Sequence, residues 1–259
     1  MGENTKRFIS IVLSLLMISS SIIVYPAYAD LAPDDKDLYK EWGSPVVQLD
    51  NGTIRITSDK QTGRFIVETL SGLPNKSADD YKDLLYGNRF ESPETSYTSV
   101  KIDGEDFIYG NEYGFLGLEG HYTVEPYVDY DTSSIISQWS IKDIVVTQRL
   151  KLISNPKLPS IGNVFVSYDI VNKGNVSRTV GLRMLLDTKI GTVDSPALTM
   201  PGGGFIYKEK EFVGDEIPSS WHAYDQYITP QIIALGEVSG EGLSKPDKLQ
   251  FAAWGDASQ

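Results

Sequence analysis

The chain has 259 residues and a mass of 28.7 kDa, with 41% hydrophobic and 22% charged side chains and a formal charge of −12; that balance describes a folded chain with enough apolar material for one large domain or two small ones. It has no cysteine, which excludes disulfide scaffolds, thiolate zinc sites, iron–sulfur clusters, a cysteine nucleophile and a lipid-modified N-terminal cysteine. The acid excess opposes nucleic acid and anionic membrane surfaces as partners.

Residues 1–29 have the layout of a secretory signal. Lys6 and Arg7 precede an apolar run from Phe8 to Tyr25, and Pro26 with the small-residue pattern Ala27-Tyr28-Ala29 stands before Asp30. The basic end stays at the cytoplasmic face while the apolar run enters the translocon, and small side chains fit the peptidase. Cleavage after Ala29 is the expected result. The alternative is an uncleaved anchor, because an apolar run of about 18 residues approaches the ~20 that span a bilayer. The product is expected to be secreted or held at the cell surface, with no membrane segment after cleavage. Without cross-links, its stability has to come from core burial or bound ions.

Residues 30–45 carry Asp34, Asp35, Asp37 and two prolines without periodicity and read as an extended lead-in. Ile54-Arg55-Ile56 and Phe65-Ile66-Val67 flank a turn containing Asp59 and Gly63, the pattern of a hairpin. Residues 79–86 have weak helical spacing, enough for one short helix or none. Tyr97–Ile102 alternates and meets Asp103-Gly104, a two-residue hairpin turn whose central residues both need positive φ. Three longer alternating runs follow, carrying Ile144, Val146, Leu150 and Leu152, then Val164, Val166, Tyr168 and Ile170, then Val180, Leu182, Met184 and Leu186. Turn material at Asn155–Pro159 and Asn172–Asn175 separates them, so a three-stranded antiparallel meander is expected. Later candidates are 204–208, 231–237 and 248–254. About eleven strands, no long amphipathic helix and no repeat predict an all-β fold, a large antiparallel β-sandwich over 46–259. Leu249–Trp254 reads as a strand in mid-sheet, so the sandwich is expected to be cut short at residue 259 as part of a longer chain.

Val180–Thr188, followed by Gly191 and Asp194, resembles a pattern in exported, poorly characterised β-rich surface proteins of Gram-positive bacteria. Ile217-Pro218-Ser219-Ser220-Trp221, Pro246–Leu249 and Ala253-Trp254 resemble later parts of the same pattern. The similarity covers about residues 140–259, and it implies the supersandwich architecture of galactose mutarotase-like and related carbohydrate-active domains. Val193-Asp194 stands where that pattern has an Asn-Asp pair, and the family continues beyond Trp254 with further strands. The resemblance implies fold and location and assigns no catalytic residue.

Motifs for specific chemistries are few. There is no G-x-S-x-G, and Gly202-Gly203-Gly204 is not followed by Lys-Ser or Lys-Thr. The only histidines are His121 and His222, too few for a multi-histidine metal site; mutarotase chemistry would need both, with a glutamate, around one sugar ring. Asp187 and Asp194 follow an apolar strand in a Gly-containing loop and can offer carboxylate oxygens to Ca²⁺, or order the loop by accepting amide hydrogen bonds. Tyr122, Tyr127 and Tyr130 gather around Pro126, while Trp221, Tyr224 and Tyr227 gather near His222; such rings stack on sugars or fill a core. The sequence thus predicts a secreted β-sandwich module that binds glycan or cell-wall polysaccharide, with Trp221, His222 and Tyr224 as ligand contacts and Asp187 and Asp194 as ion ligands. The rest of a longer chain or another surface protein is the alternative partner. The alternative function is a carbohydrate-active enzyme domain, glycoside hydrolase or mutarotase-like, in which paired acids would do the chemistry.

Overall fold

Apolar and polar residues alternating with a period of two, interrupted by Gly, Asn, Asp and Pro, give strands here and almost nothing else. The computed structural model describes residues 8–16, 45–71, 77–87, 92–154, 162–202 and 204–257. In chain order its strands are β1 (Phe8–Leu16), β2 (Val46–Asp50), β3 (Ile54–Asp59), β4 (Phe65–Thr69), β5 (Tyr97–Ile102), β6 (Glu105–Ile108), β7 (Gly120–Asp129), β8 (Ser134–Ile141), β9 (Ile144–Ser154) and β10 (Gly162–Asn172). They continue with β11 (Val180–Leu185), β12 (Lys189–Ile190), β13 (Val193–Asp194), β14 (Ala197–Met200), β15 (Gly204–Ile206), β16 (Lys210–Val213), β17 (Ser220–Tyr224), β18 (Ile233–Glu237) and β19 (Lys248–Phe251). Among the described residues strand accounts for 55% and no helix reaches seven residues, so the fold is all-β and antiparallel, as expected. Among the described residues no helix is long and apolar enough to cross a membrane.

Nine strands form the main sheet, in the order β15-β14-β17-β18-β1-β10-β9-β8-β7. Two three-stranded sheets, β2-β3-β4 and β11-β5-β6, and two ribbons, β12-β13 and β16-β19, complete the fold. One apolar cluster joins the layers: Ile54, Ile56, Phe65 and Val67 of β3 and β4, and Val100 and Ile102 of β5, pack with Trp139 of β8, Leu150 of β9 and Val166 of β10. This is sandwich packing, in which alternate residues of facing sheets interdigitate and exclude water. The polar atoms of its buried rings find partners. The Trp139 indole donates to the Asn111 carbonyl at 3.0 Å, the Tyr109 and Ser137 hydroxyls lie 2.7 Å apart, and the Tyr168 hydroxyl meets Thr98 Oγ1 at 2.6 Å while accepting from Gln148 at 3.1 Å. Burial pushes the Tyr109 and Tyr168 phenols up, so both stay protonated.

Both expected hairpins are present. Asp103 (φ 50°) and Gly104 (φ 93°) turn β5 into β6, the positive-φ pair that a two-residue hairpin demands. Between β3 and β4, Asp59 Oδ1 accepts from the Gln61 and Thr62 amides and the Thr62 hydroxyl at 2.6–3.0 Å, closing the turn. Residues 79–86 supply only the end of a 3-10 turn, Ser77–Asp79, and then irregular chain pinned to β4 by a bridge between Glu68 and Asp83.

Two expectations change, and one segment takes a place the sequence did not indicate. Of the three strands expected to form a meander only two are neighbours: β9 pairs with β10, but β11 crosses to the other layer and pairs with β5. Alternation fixes the buried face of a strand and leaves its neighbour open, and here the free edge of β10 is taken by Phe8–Leu16. That segment, read as the apolar heart of an export signal, is a central strand of the main sheet. Finally, Leu249–Trp254 is not in mid-sheet: β19 pairs only with β16, and Trp254–Ala257 is a helical turn. The lead-in over 30–44, the turn at Asn155–Pro159, and residues 1–7 and 17–29 of the export signal lie outside the described residues.

Candidate functional site

Of the short strands at one end of the main sheet, β17 alternates strictly. In β17, Trp221 and Ala223 are buried, while Ser220, His222 and Tyr224 are partly exposed. Trp221 stands opposite Gly236 of β18, where a Cβ would come within 2.3 Å of the indole, so glycine is what lets the ring lie flat on the strand. Phe251 of β19 meets the indole edge-on at 6.1 Å. Trp221 is therefore a core residue, only 6% exposed, not the surface ligand contact expected of it, and the residues of this strand that reach the surface lie on its other face.

That other face is a platform of rings. His222 and Tyr224 stack at 6.2 Å, Tyr224 meets Tyr227 edge-on at 6.0 Å, Tyr227 meets Phe205 at 4.4 Å, and Phe205 meets Tyr207 at 5.3 Å. Tyr207 and Tyr227 are 83% and 57% exposed. Beneath them, buried Thr199 of β14 stands opposite both His222 and Phe205, and its hydroxyl is 3.1 Å from that of Tyr224. Tyr227 is held over the platform by its loop. Asp225 Oδ1 accepts from the amides of Gln226, Gln231 and Ile232 at 2.8, 3.0 and 3.3 Å, and the Gln226 side chain donates to the Thr229 carbonyl at 2.7 Å. His222 and Tyr224 were legible as candidates; Phe205 and Tyr207 were not, because they come from a different hairpin and only the register of β14 with β15 and β17 brings them alongside.

A cleft of about 350 Å³ opens at the foot of this loop, lined by Asp225, Gln226 and Ile232 on one side, Gly191, Thr192 and Val193 on another, and Ala78 and Lys82. Gly191–Val193 is the turn of the β12-β13 hairpin, which brings in the two acids singled out above. Asp187 is partly buried and Asp194 exposed. Burial, and then the neighbouring Asp194 charge, push the Asp187 carboxyl above the ordinary carboxylate value, against a hydrogen bond from Thr95. The cation in their midst is Lys189. It stands opposite Asp194 in the hairpin, pairs with Asp83 at 2.8 Å and lies over the Tyr86 ring, and Asp83 foremost holds its ammonium charged. Among the described residues no group of three or more His, Asp or Glu side chains converges as a metal site would require. A Ca²⁺ ion at Asp187 and Asp194 would draw its remaining ligands from backbone carbonyls and water.

The two histidines do not share a site. His121 lies on β7 and His222 on β17, with five strands between them, roughly 29 Å along the sheet at a strand spacing of about 4.8 Å. The two-histidine arrangement of mutarotase chemistry is not formed. Of the other ring group, Tyr122 is turned inward, its hydroxyl close to Gly63 and Gly110, while Tyr127 on the edge strand β7 and Tyr130 just after it are exposed. Compared with family models, curated proteins and solved structures, the chain matches none.

Proposed function

We propose that the chain, exported and freed of residues 1–29, is a non-catalytic β-sandwich module that binds polysaccharide outside the cell through the ring platform of Phe205, Tyr207, His222, Tyr224 and Tyr227. One observation carries the reading. Five rings from two hairpins and a loop touch in series on an outer sheet face, with the outermost two mostly open to solvent. A pyranose presents an apolar face of C–H groups that stacks on such rings, while its rim hydroxyls reach the polar lining of the adjoining cleft, Lys82, Thr192, Asp225 and Gln226. A row of contacts suits a polymer better than a single sugar. The layout of residues 1–29 fits an exported product.

Electrophoresis through gels that contain a panel of soluble polysaccharides tests this. At least one neutral polymer is expected to retard the protein, and Tyr227→Ala is expected to weaken that retardation about tenfold, the loss of one stacking contact. Unretarded migration in every gel overturns the reading.

A second reading, a carbohydrate-active enzyme domain, is favoured by one feature: Asp187, its carboxyl raised by burial, next to Asp194, is the pairing of a proton donor with a second carboxylate. Hydrolysis of a retained polysaccharide, abolished in Asp187→Asn, is the result that would select it.

A further inference from the structure

The main sheet depends on a strand that the exported form does not keep. β1 pairs antiparallel with β10 on one side, Phe8 to Ser14 against Asp169 to Asn163, and with β18 on the other, Val12 to Leu16 against Glu237 to Ile233. β10 and β18 do not pair with each other. They lie two strand spacings apart, about 9.5 Å. Cleavage after Ala29 removes β1 whole. It leaves two rows of backbone N–H and C=O groups without partners, flanked on one side by buried Val164, Val166 and Tyr168 and on the other by buried Ala234.

The sequence of β1 suits the gap in detail. Ile9, Ile11 and Leu13 stand opposite Tyr168, Val166 and Val164, and Leu13 and Leu15 opposite Gly236 and Ala234, all positions whose residues are buried. Ser10 and Ser14 stand opposite Ser167 and Asn163, on the partly exposed register. One register of β1 is wholly apolar, Ile9, Ile11, Leu13 and Leu15, and the other mixes Ser10 and Ser14 with Phe8, Val12 and Leu16.

We propose that the gap between β10 and β18 is a strand-acceptor site that, in the exported form, takes one extended segment of a partner protein. The donor runs antiparallel to both edges and carries branched apolar residues at four alternate positions, with serine- or valine-sized residues between, as in Phe8–Leu16. Main-chain hydrogen bonds to both edges supply the affinity, and the alternate apolar positions supply the selectivity. The leader segment holds this place in the precursor. This inference rests on the reading of residues 1–29 as a removable export signal.

The test uses the full chain with a protease site placed between Leu16 and Asp30, cut after folding. Retention of the cut leader on gel filtration, and its replacement by a labelled peptide of the Phe8–Leu16 sequence but not by the same peptide with Leu13→Pro, is the expected result. A hundredfold excess of that peptide over its Kd is expected to raise the melting midpoint of the emptied protein by about 5–10 °C. Immediate loss of the leader with an unchanged midpoint and no peptide binding overturns the proposal, since the sheet would then close by itself. The N-terminal residue of the exported product reports separately on the reading beneath it. A product that starts at Asp30 supports that reading, and one that starts at Met1 refutes it while the peptide exchange still decides the acceptor site.

Discussion

From β7 to β10 the strands of the main sheet run eight to eleven residues, whereas β14, β15, β17 and β18 run three to five. The long half buries Trp139, Tyr109 and Tyr168 with their polar atoms matched inside the protein. The short half buries one large ring, Trp221, and turns its other rings outward. Length is what separates them. Long alternating strands bury enough apolar area to hold themselves in register, so the long half can be a foundation. Short strands depend on local clamps, here Gly236 beneath Trp221 and Asp225 under its loop, and the surface they leave open is free for a ligand.

Substitutions should sort along this line. Trp139→Ala opens a cavity in the long half and leaves the Asn111 carbonyl without its donor; it should cost about 3–5 kcal/mol and lower the melting midpoint by roughly 10 °C or more. A midpoint within a degree or two of wild type would break the contrast. Gly236→Ala should cost about 1–3 kcal/mol, because the new methyl meets the buried Trp221 indole and something must shift to admit it; thermal melts followed by tryptophan fluorescence would show it. Asp225→Ala removes the acceptor of three amides and should cost about 1–2 kcal/mol. It should weaken polysaccharide retardation more than its stability loss implies, because Tyr227 is released from Phe205.

The smallest effect concerns pH. Burial and Asp194 raise the Asp187 carboxyl in the folded state, so the folded protein holds that proton more tightly than the unfolded chain does. Stability from this group is greatest at acid pH and falls as pH rises from the ordinary carboxylate value through the raised folded one. Asp187→Asn lacks that slope, and the difference in midpoint between variant and wild type should grow in the variant's favour over that window. Partial exposure of the carboxyl keeps the shift to a few degrees at most. A parallel pair of profiles would contradict the assignment.

The same contrast governs what could be read from the sequence. Asp103-Gly104 and Asp59 with Gly63 were legible because their turns demand particular backbone angles or acceptors within a few residues. The long strands were legible through alternation. The pairing of β11 with β5 was not, since a strand's pattern names its buried face and is silent on its neighbour. Trp221 and His222 looked alike as members of an aromatic cluster; only the strand period separates the one that points inward from the one that points outward. Phe205 and Tyr207 escaped notice because a platform assembled across hairpins has no signature in linear order. Phe8–Leu16 carried two messages in one run, apolar enough for export and alternating enough for a sheet, and the first hid the second.

The most direct measurement compares melting curves of the wild type and of a Tyr207→Ala/Tyr227→Ala double variant, each with and without the polysaccharide that retards the wild type. The account expects nearly equal midpoints without polymer, a rise for the wild type with it, and little or no rise for the variant. An equal rise in both proteins would place the binding elsewhere and contradict the ring platform as the site.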